Sequence, residues 1–353
     1  MLKKLSKQKI SDIITYGIVL VAFIVMQILI NAGQISSLFE GLMVPLCTYI
    51  ILAISLNLVV GVLGELSLGH AGFMCVGAFT SAFFSKCMQD TITNSIVRFL
   101  IALLIGILVA AIFVLLIGIP VLRLDGDYLA IVTLAFGEII KNIVNVLFIG
   151  KDSKGFHFST KDVMALNMEP DGKVIVNGPQ GITGAPKDAT FFIGFILVLI
   201  TLFIVLNLIH SRDGRAIMAI RDNRIAAESI GINITKYKLM TFTISAAMAG
   251  AAGVLYGHNL SNLTANTNNF GYNMSINILV FVVLGGIGNI RGSIISAVVL
   301  TLLPELLRGL SDYRMLIYAI VLIVMMLFNW APKAIEWREK YLSFKKNKKE
   351  AVK

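Results

Sequence analysis

Apolar segments long enough to cross a membrane recur along this chain of 353 residues, and they restrict its fold more than any other feature. A hydrocarbon core of roughly 30 Å needs about 20 residues of α-helix, which satisfies its own backbone hydrogen bonds there. The sequence therefore predicts a series of transmembrane helices. The clear runs are 13–30, 42–60, 66–84, 96–119, 129–148, 191–209 and 239–258.

Two glycine-interrupted runs (276–284 and 294–307) and a final apolar run (315–328) follow. Counting these gives about ten crossings, so we expect an all-α polytopic membrane protein with one transmembrane domain over residues 1–353. The composition agrees, since 57% of the residues are hydrophobic and 14% are charged. The basic flank of the first run is typical of a secretory signal, but its length and the runs after it favour an uncleaved helix. Whether 276–307 crosses twice or re-enters is open from the sequence.

Lysine and arginine predict the orientation. They flank both ends of the chain and fill the segment 211–238, whereas the segment 259–274 has no charge. Because cytoplasmic loops are enriched in Lys and Arg, we expect both termini, the loop 211–238 and a basic tail (333–353) to be cytoplasmic. The loop 150–189 is then external. The net charge of +10 is explained by contact with anionic lipid headgroups, without nucleic acid.

The external loop contains a possible short strand at 173–177, followed by the turn-forming residues of NGPQGITGAP. Two roles are open for such a loop: docking of an extracytoplasmic partner, or a cap over the helix ends. Composition alone favours the cap.

Two glycine-rich segments, 61–78 and 284–292, interrupt apolar runs. Irregular backbone at membrane depth is tolerated where it is buried in protein or lines a water-filled cavity, and broken segments in both halves of a transporter point to its pathway. Alternatively, the glycines let helices pack closely or form ordinary turns. The candidate pathway residues in these segments are Glu65, Ser67, Gly69, His70 and Gly72, with Gly285, Gly286 and Gly288.

Ionisable residues inside apolar runs are costly and are therefore candidates for function. Glu138 is the clearest, and we include it among the candidate pathway residues. Lys141 follows three residues later, so a structural ion pair is the simpler interpretation, and Glu305 with Arg308 repeats that spacing. His70, next to glycines, fits a packed hydrogen-bonding residue better than a ligand-binding one.

The segment 211–238 is unusual for a connecting loop, because it combines arginines and lysines with apolar residues near one helical face. Such a loop is suited to docking on a soluble cytoplasmic protein. Its apolar residues are Ile217, Ile220, Ala227 and Ile230.

Signatures of catalysis are missing from the sequence. It has no GxxxxGK[ST] phosphate loop, no HExxH and no GxSxG, and its three cysteines have no metal-ligand spacing. We expect no enzymatic activity, metal or cofactor on this chain. ATP-driven transport would need a separate ATPase chain, which would dock on the 211–238 loop.

Five segments, in order, resemble elements of the permease subunits of branched-chain amino acid ABC importers, specifically the LivM-type member of the permease pair. GELSLGHAGFMCVGAF is similar to that family's GxxSLGHAAF element, and RLDGDYLAIVTLAFGEII to its R-x-x-GDYLAIVTLGFGEI element. NGPQGITG resembles the GGPxGI motif, with Asn177 in place of the first glycine. The stretch from GRAIMAIRDN to VLYGH resembles the cytoplasmic loop and the helix after it, and VVLGGIGNIRGSIISAVVL the GGxGxxxG element.

The resemblance implies that the cytoplasmic loop is an EAA-type coupling segment that inserts into a cleft of the ATPase subunit. This chain has AAES at the core of that motif, which leaves open the acidic residue that contacts the ATPase. We predict that Glu228→Lys abolishes uptake and leaves membrane insertion intact. The coupling residues carried over are Arg215, Arg221, Asp222, Asn223, Ala226, Ala227, Glu228 and Gly231.

The resemblance also implies a complex in a bacterial or archaeal cell (inner) membrane. Its other members would be an H-type permease subunit, two cytoplasmic ABC ATPases that use ATP and Mg²⁺, and an extracytoplasmic amino-acid-binding protein. The solute would be leucine, isoleucine or valine, although relatives carry urea, amides or other amino acids. Two other classes stay open from the residues. An ion-coupled secondary transporter using Glu138 or Glu65 leaves the arginine-rich loop unexplained, and a membrane-embedded enzyme or scaffold has no motif in its favour.

Overall fold

A computed structural model describes residues 7–33, 36–121, 126–170, 172–310 and 313–330 of the chain. The predicted basic tail, 333–353, lies outside the described residues. Most of the described chain is helical. The helices are α1 (Lys7–Asn31), α2 (Ser37–Asn57), α3 (His70–Cys87), α4 (Ser95–Val121), α5 (Asp127–Val146), α6 (Phe191–His210), α7 (Arg212–Asp222), α8 (Arg224–Ser229), α9 (Ile234–Gly257), α10 (Thr267–Phe270), α11 (Tyr272–Gly285), α12 (Ile290–Leu306) and α13 (Arg314–Trp330).

Seven helical segments among the described residues are long and apolar enough to cross a membrane. They are α1, α2 with its continuation to Leu63, α4, α5, α6, α9 and α12. The helices α3, α11 and α13, which lie in the other predicted runs, have 18, 14 and 17 residues and are shorter than the roughly 20 that a straight crossing needs. The helical membrane fold predicted from the apolar runs is confirmed, with seven clear spans.

The helix α9 is the centre of the bundle, and it packs against α2, α3 and α4. Small residues allow this close packing, which is the usual device at helix interfaces in membranes. A Cβ atom added at Gly253 would lie 2.0 Å from the carbonyl oxygen of Met74, and one added at Gly77 would lie 2.2 Å from that of Gly250. The backbones of α3 and α9 therefore touch without intervening side chains.

Two predicted runs have different bounds in the structure. The run expected at 66–84 is broken: α2 continues as a π-helical turn (Leu58–Leu63), residues 64–69 are not helical, and α3 begins at His70. The run expected at 239–258 starts earlier, because Asn233 caps α9 by accepting a hydrogen bond from the backbone N–H of Lys236. The last five residues of the predicted loop 211–238 therefore belong to α9.

The loop between α5 and α6 contains a small antiparallel sheet in the order β2-β1-β3, formed by β1 (Phe148–Lys151), β2 (Phe156–Ser159) and β3 (Lys173–Asn177). The predicted strand 173–177 is confirmed. A second pair joins β4 (Ile182–Thr183) to β5 (Asn262–Leu263). Lys86, near the end of α3, donates hydrogen bonds to the carbonyls of Val174 and Ile175, so the sheet lies as a folded cap on the helix ends.

A buried ion pair fastens this capped end of the bundle. The guanidinium of Arg98, on α4, donates to both carboxylate oxygens of Asp188, at 2.8 and 2.7 Å, and Ser95 donates a third hydrogen bond at 2.6 Å. Burial raises the pKa of the Asp188 carboxyl, but the hydrogen bonds from Arg98 and Ser95 lower it more, and the pKa lies below its ordinary value. The pair joins the start of α4 to the residues just before α6.

Candidate coupling and translocation site

Two short helices, α7 and α8, form the segment at the end of the bundle opposite the sheet. Each begins at a side-chain cap: Ser211 accepts a hydrogen bond from the N–H of Gly214, and Asn223 accepts one from that of Ala226. Such caps satisfy backbone donors that a helix start leaves without partners. Ile217, Ile220 and Ala227 are buried and hold the pair of helices against the bundle.

The helix α8 ends as the sequence predicted. Gly231 has a φ of +85°, a conformation that glycine adopts at little cost. Its N–H donates to the carbonyl of Glu228, and the N–H of Ile232 donates to that of Ala227. This is the Schellman arrangement, and it returns the chain toward α9 within a few residues.

Two isoleucines are exposed, one in α8 and one directly after its end. Ile225 is 82% exposed and Ile230 is 76% exposed. The sequence predicts that Ile230 shares one apolar face with Ile217, Ile220 and Ala227. That prediction is wrong for Ile230, because α8 ends at Ser229 and the helical spacing does not extend to Ile230. Ile225 was missed. Its signal is the N-cap at Asn223, which places Ile225 on the first turn of a helix whose buried side is Ala227.

Arg221 connects α7 to the membrane domain. Its Nη1 atom donates a 3.0 Å hydrogen bond to the carbonyl oxygen of Gly61, in the π-helical turn after α2, and its Nε and Nη2 atoms bind Asp222. A Cβ atom added at Gly64 would lie 2.5 Å from Cγ of Arg221. Of the other carried-over coupling residues, Arg215 is exposed and bonds the carbonyl of His210, whereas Ala226 and Glu228 are exposed on α8.

A second connection lies beside the first. Glu65, in the non-helical segment that precedes α3, forms an ion pair with Lys238 of α9. The side chain of Lys238 is 1% exposed and that of Glu65 is 15% exposed. The start of the broken segment is therefore held by α7 through Gly61 and by α9 through Glu65.

The two glycine-rich segments, distant in sequence, meet at this end of the bundle. Asn57 accepts a 2.9 Å hydrogen bond from the N–H of Gly288, and its amide donates to Ser293 at 2.8 Å. A Cβ atom added at Gly61 would lie 2.3 Å from the nitrogen of Gly288. Gly285 and Gly286 form the turn between α11 and α12 in the same region. The structure thus brings Glu65, Gly285, Gly286 and Gly288 to one region next to α7.

The remaining candidate pathway residues of the first glycine-rich segment, Ser67, Gly69, His70 and Gly72, are buried inside the helix bundle. Cβ atoms added at Gly69 and Gly72 would lie 2.7 Å from the carbonyl oxygen of Thr133 and 2.6 Å from Cα of Gly137, so these glycines let α3 and α5 approach closely. Ser67 is fully buried, and no hydrogen-bond partner for its hydroxyl exists among the described residues.

His70 is a packed, hydrogen-bonding residue, as predicted. Its Nε2 atom lies 2.7 Å from Oγ of Ser245, which donates its own proton to the carbonyl of Ser55. Because Ser245 must then accept from His70, the proton of the imidazole is on Nε2. Its Nδ1 has no partner among the described residues.

Glu138 forms the predicted ion pair with Lys141, at 2.5 Å. Its other carboxylate oxygen accepts a 2.7 Å hydrogen bond from the N–H of Tyr272, the first residue of α11. Lys141 also donates to the hydroxyl of Thr267 in α10. Glu138 therefore fixes the start of α11 against the middle of α5, and the predicted Glu305–Arg308 pair also forms, at 2.9 Å.

The seven long apolar helices define a multi-pass membrane protein. Residues 37–328 match the family described as branched-chain amino acid transport system, permease component, so the chain belongs to that family. It is a permease subunit of an ABC importer, as the resemblance of its motifs implied.

Individual relatives agree with the family match. The LivM permease protein of the high-affinity branched-chain amino acid transport system is 35% identical over 296 residues in Salmonella typhimurium and in Escherichia coli, covering 81% of this chain and 67% of each relative. The LivH permease protein of the same system in Salmonella typhimurium is 23% identical over 287 residues, covering 79% of this chain and 89% of the relative. No solved structure matches the chain.

Proposed function

We propose that this permease imports leucine, isoleucine and valine across a bacterial or archaeal cell (inner) membrane. The partners in this proposal are an H-type permease, two ABC ATPases that bind ATP and Mg²⁺, and an extracytoplasmic amino-acid-binding protein. The similarity to the two LivM proteins supports the solute class. Because the binding protein selects much of the solute in such a system, urea, amides or other amino acids are the alternatives.

The observation that carries the coupling role is the exposed apolar surface of α8. Ile225 and Ile230 are both largely exposed, and charged residues surround them. Neighbouring exposed apolar side chains of this kind are typical of a surface that binds another protein. A short helix with this surface fits a cleft on a soluble protein. In the proposal α8, with Glu228 beside the two isoleucines, enters the cleft of the ATPase subunit.

The contacts support ten crossings with cytoplasmic termini. The non-helical residues 64–69 with α3 form one broken crossing, because Gly61 lies beside α7 and Lys86 lies beside the sheet. Residues 262–271 with α11 form another, because β5 pairs with β4 at the sheet end and Gly288 lies beside Gly61. Together with α13 and the seven clear spans these give ten. The loop of α7 and α8 and the tail 333–353 are then cytoplasmic, and the sheet is external.

The two connections, from Arg221 to Gly61 and from Lys238 to Glu65, provide a route by which motion of the ATPases reaches the membrane helices. If ATP binding draws the ATPases together, α7 and α8 move with them, and Arg221 and Lys238 transmit this motion to Gly61 and Glu65. The glycine turn at 285–288 packs on the same backbone and moves in turn. A ligand-driven change of this kind requires only two states that differ in their contacts with the ATPases.

The proposal is tested by purifying the chain with its partners after substitution of the α8 surface. We expect Ile225→Asp with Ile230→Asp to lose both ATPases while keeping the second permease, because a buried carboxylate in the cleft has no partner. Met164→Asp, at an 88% exposed apolar residue of the sheet loop, is the matched control and should keep the ATPases. Retention of the ATPases by the α8 variant would contradict the docking role.

Uptake assays test the solute and the energy source. Vesicles containing the whole complex should take up radiolabelled leucine only with ATP inside, and Glu228→Lys should abolish this uptake. Transport of leucine by this chain alone along an ion gradient would favour a secondary transporter. Uptake of urea or an amide, without leucine, would correct the solute class.

A further inference from the structure

A deep apolar groove lies between α4 and α5. Both helices pack on α3, which forms the floor of the groove, and the sheet of β1, β2 and β3 covers one end of it. The groove encloses about 530 Å³. Aliphatic and aromatic side chains make up most of its lining, among them Phe79 and Phe83 of α3, Phe113 of α4 and Val144 of α5.

The groove offers water very little to bind. Among the described residues that line it, the single hydroxyl belongs to Thr80, and it donates a 2.7 Å hydrogen bond to the carbonyl of Val76 in its own helix. A water molecule in a cavity needs several polar partners, whereas apolar cavities stay dry and bind apolar molecules. A hydrocarbon chain therefore fits this groove better than water does.

The groove opens on a side of the bundle that faces lipid. On α4, the lining residues Ile105 and Val109 lie next to Leu104 and Leu108, which are 61% and 59% exposed. On α5, the lining residue Ile143 is 57% exposed. Apolar side chains exposed along both edges, on helices long enough to span a membrane, are typical of contact with lipid chains.

The groove has the depth of one lipid leaflet. Along α3 it extends from Val76 to Cys87, which is 11 residues, or about 16 Å at a rise of about 1.5 Å per residue. This is about half of a hydrocarbon core of roughly 30 Å. Its end at Cys87 lies beside the sheet, because Lys86 donates hydrogen bonds to carbonyls of β3. In the orientation proposed above, this leaflet is the outer one.

The register of the sheet places a lysine at the mouth of the groove. Residues that are directly opposite in an antiparallel pair project from the same face of a sheet. Ile149 and Val176 are opposite each other, and both line the groove. Lys151, two residues after Ile149, is opposite Phe156, which also lines the groove, and its Nζ atom lies 5.7 Å from the centre of that ring. The ammonium of Lys151 therefore lies at the edge of the groove.

A second lysine lies beside the first. Lys173 of β3 is opposite Lys151 on its other side, and like charges in this position destabilise a sheet. Among the described residues, no carboxylate forms an ion pair with Lys151, and Lys173 is paired with Asp90 at 4.0 Å. The side chains of that pair are 83% and 94% exposed, so it contributes little. An anion bound between the two ammonium groups would relieve their repulsion.

We propose that the groove binds a chain of an anionic phospholipid, whose phosphate binds Lys151 and Lys173. A helix of the second permease would account for the apolar groove but not for the two lysines at its mouth, whereas an anionic lipid accounts for both. The site requires only the membrane fold and does not depend on the transported solute. Its assignment to the outer leaflet rests on the proposed orientation.

Lipid binding to the detergent-purified complex tests the groove. The complex is stripped of lipid and titrated with phosphatidylglycerol or phosphatidylcholine, and the bound molecules are counted by native mass spectrometry. We expect Val109→Trp, whose indole fills the groove, to bind one tightly held phosphatidylglycerol fewer per copy of this chain than the wild type. Leu108→Trp, on the exposed side of the same helix turn, is the matched control and should bind as many as the wild type. Val144→Trp replaces Val109→Trp if that variant does not assemble.

The double variant Lys151→Gln with Lys173→Gln tests the headgroup. We expect it to bind phosphatidylglycerol at least about tenfold more weakly and to bind zwitterionic phosphatidylcholine within about twofold of the wild type. Lys154→Gln with Lys161→Gln removes the same charge from exposed lysines of the same loop and should bind phosphatidylglycerol as the wild type does.

Two results would overturn the proposal. One is an equal number of bound lipids in the wild type and all variants. The other is loss of the second permease from Val109→Trp with unchanged lipid binding, because the partner subunit would then occupy the groove. Since lipid binding requires neither ATP nor leucine, its outcome is separate from that of the uptake assays.

Discussion

The guanidinium of Arg221 donates a 3.0 Å hydrogen bond to the carbonyl oxygen of Gly61 and so joins α7 to the π-helical turn after α2. The motif alone suggested that Arg221 contacts the ATPase. In the structure this side chain contacts the membrane domain while it stays 39% exposed, and Ile225 and Ile230 are exposed at α8. We propose that the two tasks of a coupling segment are divided here: α8 docks on the ATPase, and Arg221 transmits the motion to the membrane domain.

We expect Arg221→Ala to lower uptake about tenfold or more while ATP hydrolysis by the complex changes less than about twofold. The variant removes the connection to Gly61 but leaves the α8 surface intact. The ratio of solute imported to ATP hydrolysed, measured in proteoliposomes, reports this difference. Arg212→Ala, an exposed arginine of the same helix, is the control. Loss of the ATPases from purified Arg221→Ala complex would show that Arg221 is a docking residue instead.

The Glu65–Lys238 pair should respond unequally to removal of its two members. Glu65→Gln leaves the ammonium of Lys238, which is 1% exposed, without its carboxylate and should lower the unfolding free energy by about 3 kcal/mol. Lys238→Met leaves Glu65, which is 15% exposed and partly hydrated, and should cost less. The double variant should recover most of the loss, as measured by thermal unfolding in detergent. Additive losses would mean that the pair does not couple the two segments.

The close approach of Gly61 to Gly288 predicts that no larger residue fits there. Gly61→Ala places a methyl group 2.3 Å from the backbone nitrogen of Gly288, and we expect about 1–3 kcal/mol of destabilisation and reduced assembly. Gly41→Ala, in the helix α2 that precedes this turn, meets nothing within 4 Å and should be neutral or slightly stabilising. Detergent-resistant complex yield and melting temperature compare the two variants. Equal behaviour would contradict the close packing of the glycine segments.

The Arg98–Asp188 pair predicts a dependence of stability on pH. The pKa of Asp188 is lowered in the folded chain, so its contribution is fully present above the ordinary pKa of 3.8 and is lost as the pH falls below it. At pH 7, Asp188→Asn should lower the unfolding free energy by about 3 kcal/mol, because Arg98 stays buried without its partner.

The difference in melting temperature between the wild type and Asp188→Asn should shrink as the pH falls below 3.8. Asp90→Asn, at a 94% exposed carboxylate, is the control and should match the wild type at every pH. A difference that stays constant down to low pH would assign the effect to packing and not to charge.

Several local features were determined by the sequence. The apolar runs predicted the long helices, because a run of about 20 apolar residues has few other stable states in a bilayer. Gly231 predicted the end of α8 because the left-handed turn there favours glycine. The Glu138–Lys141 pair followed from i, i+3 spacing on one helix. All three are interactions between residues close in the chain.

Contacts between distant segments were decided only by the tertiary structure. Arg221 reaches Gly61 across 160 positions, and Asn57 reaches Gly288 across 231, and no local pattern predicts either. Periodicity and composition predict which segments form helices and which of these helices lie in the membrane. Which faces meet, and which polar groups are left exposed, depends on how the helices pack against one another.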